Sequence, residues 1–300
     1  MSNILNKISE ELKIPIKKTQ KLPQGMDSEV FSIIDEKNKE YVVKIGEGVK
    51  ADIKAYDLIE KYKLKIPVPK LYLKTSFNNI PVLVMEKIKY CLLETIPKQE
   101  MSNYIPSMIE SLKEIHKITS ERVGCLTGEK EKRTWKNFHL SKFDGSDNYL
   151  KWNEICKRDT LDSNLILRSV DKFSSKFSEA EINESNYSLL HTDFNQRNLF
   201  VDPKTKKITG IIDWGESIFG DPIYDFARIR MLIWHFNLGA KAVDDYYTLM
   251  DYTPKQRELD DLYWISRIIE YLAYYSEEVN DFNMSRIKLH QDFLREYMLE

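Results

Sequence analysis

Four polar residues carry the chemistry most readily read from this sequence: His191, Asp193, Asn198 and Asp213. Three of them fall in "LLHTDFNQRNLFVD", between two apolar runs, where burying polar groups is costly unless each finds a partner. Asp213 closes the second strand of the hairpin that follows, so two carboxylates and one amide oxygen are expected to meet at a strand-end crevice. Phosphoryl transfer asks for such a set. One carboxylate orients the attacking hydroxyl and accepts its proton, while hard oxygen ligands hold magnesium on the phosphates. Asn198 and Asp213 suit magnesium better than a tetrahedral nitrogen and sulfur site, which leaves Asp193 facing the substrate.

Lys44 adds a cation at the end of the second of two N-terminal strands, within reach of α and β phosphates lying beneath the preceding hairpin. The segment "PQGMDSEVF" before them is placed to fold over those phosphates. Each feature also has a bland reading. A lone strand-end lysine is usually solvated, a His-x-Asp pair is often a turn with a capping Asp, and the single Gly25 is a weak phosphate-loop signal. The order of the features favours the chemical reading: Lys44 after a hairpin, then an apolar strand, then Asp193, Asn198 and Asp213 at tight spacing.

The elements that must position these residues show in the apolar patterning. "VFSII" (Val30 to Ile34) and "YVVKI" (Tyr41 to Ile45) read as an antiparallel hairpin at the edge of a small sheet. "KADIKAYDLIEKYKL" has Ile53, Tyr56, Ile59 and Leu64 at near-helical spacing and is expected to stop at "IPVP". Pro81 to Ile88 reads as a buried strand, and "IPSMIESLKEIHKI" as an amphipathic helix that opens a mainly helical half. A further helix is expected over "SNLILRSVDKFSSKF", a hairpin over "LFVDPKTKKITGIIDW", and helices from Ile223 onward. The whole is an α+β chain of two lobes, residues 1–88 and 89–300, parting near Lys89.

Composition limits the alternatives. The chain has 300 residues, 42% hydrophobic and 31% charged, with 10 Gly and 10 Pro, which fits a globular protein with a sizeable core. A net charge of −2 without a basic run speaks against a nucleic-acid partner. The average hides an asymmetry: Met1 to Ser120 holds 16 acidic and 20 basic residues, whereas Asp213 to Glu300 holds 17 acidic and 9 basic. The field of that acidic C-terminal region would attract a cationic small molecule. Cys91, Cys125 and Cys156 form no CxxC pattern, so neither a disulfide framework nor zinc is expected, and the reducing cytoplasm is the expected location. No leader pattern or run of about 18 apolar residues suggests secretion or a membrane span.

"HTDFNQRN" followed by "GIIDWGESIFGDPIYDFA" resembles the aminoglycoside phosphotransferase and choline kinase group, which has a two-lobed protein-kinase-like fold. The resemblance implies a small antiparallel sheet lobe and a larger helical lobe. It implies Asp193 as the catalytic base, Asn198 and Asp213 as magnesium ligands, and Lys44 as the phosphate-contacting lysine. His191 resembles the anchor of the loop, and Asp221 and Asp225 match positions that hold the following helix against it. "VMEKI" is similar to the hinge, where backbone groups of Glu86 and Ile88 would bond the purine and Met85 would line its pocket. "GMDSEVF" is similar to the phosphate loop, with Gly25 and Ser28 near the phosphates. One departure stands out. Where the group has a helix glutamate that pairs with the lysine, Lys54 stands here, with Asp52 and Asp57 nearby; either Asp52 takes the role by a shift of the helix or the lysine is held otherwise. "GCLTGEKEKRTWKNF" is further similar to hygromycin-type kinases.

The reaction so implied moves the γ-phosphoryl group of ATP or GTP, with magnesium, to a hydroxyl of a small cationic molecule such as an aminoglycoside or aminocyclitol. A metabolic choline, homoserine or sugar kinase is the nearest rival. A nucleotide-binding pseudoenzyme is another, and the presence of Lys44, Asp193, Asn198 and Asp213 weighs against it. A protein kinase is disfavoured because "IIDWGES" runs into "IFGDPIYDFA" with no long peptide-docking segment.

Overall fold

A computed structural model describes residues 2–22, 28–128, 134–144 and 152–299; Gly25 and most of "PQGMDSEVF" lie outside them. The elements begin with α1 (Ser2–Leu12), β1 (Ile16–Lys21), β2 (Glu29–Asp35), β3 (Glu40–Ile45), α2 (Val49–Tyr62), β4 (Leu71–Phe77), β5 (Ile80–Glu86), β6 (Cys91–Leu92) and α3 (Ile105–Ile115). There follow β7 (Thr119–Ser120), β8 (Gly124–Cys125), α4 (Trp135–Leu140), α5 (Trp152–Ile155), α6 (Ser163–Glu179), β9 (Tyr187–Leu190), β10 (Leu199–Asp202), β11 (Lys207–Ile211) and β12 (Ile218–Gly220). The chain then runs through α7 (Ile223–His235), α8 (Ala240–Met250), α9 (Pro254–Tyr275) and α10 (Asp281–Leu299). It is the α+β composition expected, with the antiparallel sheet early and the helices late.

Two compact units form, the first from residues 1–118, 125–129 and 189–219. Its main sheet has the order β1-β2-β3-β5-β4 and is antiparallel throughout. The hairpin of β2 and β3 forms as expected, but in the sheet's interior, because β1 pairs outside β2. That strand, "IKKTQK", is almost wholly exposed, and a lysine-rich edge is how sheets avoid pairing with other chains. Phe31, Ile33, Tyr41, Val43, Ile45, Val82 and Val84 form the buried face, covered by Ile8 of α1 with Ile4, Leu5 and Leu12 beside it.

α2 buries Val49, Ala51, Asp52, Ala55, Tyr56 and Ile59, an apolar stripe containing one acid. It ends before "IPVP", because Lys63 takes a left-handed conformation at φ 53° and its N–H bonds Glu60 O. A second sheet, β11-β10-β6, joins residues far apart in the chain: Phe200 stands opposite Leu92, and Ile211 N–H donates to Pro67 O at 2.7 Å. The lobe boundary expected at Lys89 divides the chain by sequence order; packing instead places residues 189–219 with the N-terminal sheet.

The second unit comprises residues 119–124, 130–188 and 220–300. Here α7 packs on α9, and α6 and α10 pack on α9 and on each other. The side chains of Trp135, His139, Phe173, Phe177, Tyr224 and Tyr263 meet in one aromatic cluster. Asp162 caps α6, and a Thr253–Gln256 capping box opens α9, each satisfying N–H groups that the first turn leaves unpaired. Trp135 lies flat against Gly220: a Cβ there would come within 2.2 Å of the indole ring.

Candidate active site

β9 delivers the chain to His191, which is fully buried and whose Nε2 is 3.0 Å from Ile212 O. With a carbonyl as partner, that nitrogen is the one that donates. The imidazole also meets the Trp214 ring at a centroid distance of 4.7 Å. His191 thus ties its own loop to the backbone immediately before Asp213. Ile212 N–H donates to Asn198 O at 3.1 Å, which sets Asn198 beside the Asp213 segment.

Thr192 has φ 61°, a left-handed conformation uncommon for a β-branched residue, and its hydroxyl donates to Glu216 O at 2.9 Å. Asp193 N–H returns to His191 O at 2.8 Å, so the chain reverses over these three residues. Asn195 Nδ2 donates to Asp193 Oδ1 at 2.7 Å, and Asn198 Nδ2 to Asp193 Oδ2 at 2.8 Å and to Asp193 O at 2.9 Å.

β3 presents Lys44 to two acids at once. Its Nζ is 2.7 Å from Asp52 Oδ2 and 2.7 Å from Asp213 Oδ1. Asp52 Oδ1 accepts Trp214 N–H at 2.7 Å, so this one carboxylate ties the lysine and the chain after Asp213 to α2. The alternative left open by the sequence is thereby resolved: Asp52 is the acidic partner, on the buried face of α2. Lys54 turns elsewhere and donates to Leu126 O at 2.9 Å. Burial alone would lower the Lys44 pKa, but attraction to Asp52 and Asp213 outweighs it and raises the value, so the ammonium is the form present at neutral pH.

Asp213, at φ 65°, has its side chain 45% exposed. Among the described residues nothing donates to its Oδ2 or to Asn198 Oδ1, which leaves two hard oxygens on adjacent segments. Such a pair fits magnesium, which takes one or two protein oxygens and completes its shell with water and phosphate. Among the described residues no cluster of three or more His, Cys, Asp or Glu could hold a metal.

Met85 is buried on β5 opposite Val42. Glu86 is exposed, and its N–H is already committed to Lys70 O at 2.8 Å. Ile88 lies over β11, where a Cβ on Gly210 would come within 2.4 Å of its Cδ1; the glycine makes room for that side chain. Ser28 is buried. In the second unit Asp221 Oδ1 accepts Ile223 N–H at 2.8 Å and so starts α7, while Asp225 is fully buried within that helix. Burial pushes the Asp221 carboxyl up to about 6. The sequence reading left Asn195 and Thr192 without a role. The signal was present in "HTDFNQRN", which has two asparagines of which only the second was given one.

A sheet strand that brings a lysine to a helix acid, with an Asp and Asn loop and a strand-end Asp, is the core of a kinase-like phosphotransferase. The model of the phosphotransferase enzyme family (APH) matches residues 18–259, and the chain belongs to that family of small-molecule kinases. Among solved structures, a thermostable mutant of aminoglycoside phosphotransferase APH(4)-Ia, in ternary complex with AMP-PNP and hygromycin B, is similar at TM-score 0.73, with 18% identity over 96% of each chain. The amicoumacin kinase hAmiN, in complex with AMP-PNP, Ca2+ and Ami, is similar at TM-score 0.68, with 11% identity over 99% of this chain and 93% of that one. Macrolide 2'-phosphotransferase type I is similar at TM-score 0.65, with 12% identity over 97% and 96%. At these identities the likeness is one of fold. No curated protein matches the sequence.

Proposed function

We propose that this enzyme transfers the γ-phosphoryl group of ATP or GTP to a hydroxyl of a small cationic molecule, an aminoglycoside or aminocyclitol. The observation that carries the reading is the junction at Lys44, whose ammonium sits 2.7 Å from both Asp52 and Asp213. Solved relatives in fold hold AMP-PNP with hygromycin B or AMP-PNP with Ami, which supports a nucleotide donor and a small acceptor. The acidic excess after Asp213, 17 acidic against 9 basic residues, supports a cationic acceptor.

In this reaction Asp193 orients the acceptor hydroxyl and takes its proton, and Lys44 offsets charge on the α and β phosphates. Asn198 Oδ1 and Asp213 Oδ2 would hold magnesium, which when bound neutralises charge on the phosphates. Met85 would line the purine's pocket, with the Ile88 backbone and the Glu86 carbonyl left to bond the base; the Glu86 N–H is occupied by Lys70 O. Ser28 is assigned to the phosphates, as is Gly25, which lies outside the described residues. His191, Asp221 and Asp225 act by holding the loop and α7 in place. Among the described residues no helix is long and apolar enough to cross a membrane. The absence of a disulfide pattern at Cys91, Cys125 and Cys156 suits a reducing cytoplasm.

The test is a coupled phosphorylation assay across aminoglycosides, aminocyclitols, choline, homoserine and sugars, with ATP and with GTP. Turnover of an aminoglycoside or aminocyclitol that Asp193→Asn abolishes, with nucleotide binding retained, is the expected result. Turnover confined to a metabolite would make this a metabolic kinase, and nucleotide binding without any magnesium-dependent turnover would make it a pseudoenzyme.

A further inference from the structure

Asn195 makes two hydrogen bonds that together leave its amide only one orientation. Its Oδ1 accepts Arg197 N–H at 2.8 Å, and its Nδ2 donates to Asp193 Oδ1 at 2.7 Å. Turning the amide over would press NH2 against the Arg197 N–H and a carbonyl oxygen against a carboxylate, losing both bonds and adding two repulsions. The loop backbone supports the same placement: Asn195 N–H donates to Asp193 O at 2.8 Å, and Asn198 N–H to Asn195 O at 3.0 Å. On the other side Asn198 Nδ2 reaches Asp193 Oδ2 at 2.8 Å. The Asp193 carboxylate is therefore gripped by one amide on each oxygen.

We infer that Asn195 is a positioning residue for Asp193: its amide fixes the plane of the carboxylate. This rests on the proposed role of Asp193 as base. Asn198 cannot replace the grip, because it bonds only the opposite oxygen and the Asp193 carbonyl.

The experiment measures magnesium-dependent hydrolysis of ATP or GTP, whichever the enzyme turns over, since water as acceptor needs no identified substrate. Asn195→Ala is expected to lower kcat about tenfold to a hundredfold, the scale of a misplaced catalytic group. The nucleotide KM should change by less than about twofold. Asn195→Asp, which still accepts the Arg197 N–H but has no donor for Asp193, should lower kcat at least as far. A thermal shift with kcat unmoved in both variants would reduce Asn195 to a structural residue and overturn the inference. Asp193→Asn, measured alongside, separates the two readings. If it retains near wild-type turnover, the base assignment itself falls; if it is inactive while Asn195→Ala behaves as wild type, only the Asn195 inference falls.

Discussion

Asp52 serves two partners with two oxygens, the Lys44 ammonium and the Trp214 N–H, each at 2.7 Å and away from solvent. Breaking a buried ion pair by removing one partner leaves the other charge uncompensated, so Asp52→Ala is expected to cost on the order of 3 kcal/mol. Urea unfolding measures that loss, and a nucleotide titration should show weaker binding, since Lys44 is then held only through Asp213. Spacing along the chain marked Asp193, Asn198, Asp213 and Lys44, and the structure joins Lys44 to Asp213 and Asn198 to Asp193. It was not enough to choose among Asp52, Lys54 and Asp57. Those residues share one helix, and an error of one position in its phase, about 100° of rotation, decides which side chain turns inward. Asn195 was missed for a related reason: what it does follows from loop hydrogen bonds, which no apolar periodicity reports.

Two motifs apparent in the sequence, Thr-Trp-x-x-Phe and Gly-Asp-Pro, turn out to be parts of one contact. Trp135 covers Gly220, its indole N–H donates to the Tyr263 hydroxyl at 2.6 Å, and Glu184 accepts the backbone N–H groups of Trp135 and Lys136 at 2.7 and 3.0 Å. A methyl group at 220 would have to displace a large, fully buried ring held at both ends. Gly220→Ala is therefore expected to destabilise by about 1–3 kcal/mol, the usual cost of overpacking, read as a lowered midpoint in denaturant. At Gly210 the neighbour is the flexible end of Ile88, so the same substitution there should cost less. Elements with strong apolar patterning were legible: β2, β3, β5, α2, α3, α6 and the β10–β11 hairpin all lie where the sequence places them. The edge strand β1 was not, since its lysines serve an exposed edge, and α1 was not, since its narrow stripe gains meaning only from the sheet it covers.

Across the molecule, buried titratable groups set the response to acid. His139 is fully buried with neither ring nitrogen hydrogen-bonded among the described residues, and burial, then Lys142 and Arg267, hold its pKa well below the usual value. Burial likewise lowers His235 to about 2 and His290 to about 4. Below the unfolded value of about 6.5 the unfolded chain takes up protons that these folded side chains refuse. Their contribution to stability is complete above that pH and is lost as pH falls. Asp221 and Asp260, both raised to about 6 by burial, act oppositely between about 6 and the ordinary Asp value near 4. The three histidines, titrating in the unfolded chain from about 6.5, outweigh these aspartates and Asp52, which burial also raises, so the melting temperature should fall between pH 7 and pH 5. His139→Phe, which keeps an aromatic ring and discards two unpaired nitrogens, should flatten that fall and raise the melting temperature at pH 5, as measured by thermal unfolding in matched buffers.

The first unit is assembled from stretches separated by some seventy residues that belong mainly elsewhere: 1–118 and 189–219, with the short 125–129 between. During synthesis, at about 5–20 residues per second, the N-terminal sheet emerges several seconds before the strand whose Ile211 bonds Pro67. A nascent chain stopped short of residue 199 therefore carries β6 without its partner strand and Lys44 without Asp213. The unit that holds Lys44 and Asp213 becomes whole only when nearly three quarters of the chain has left the ribosome.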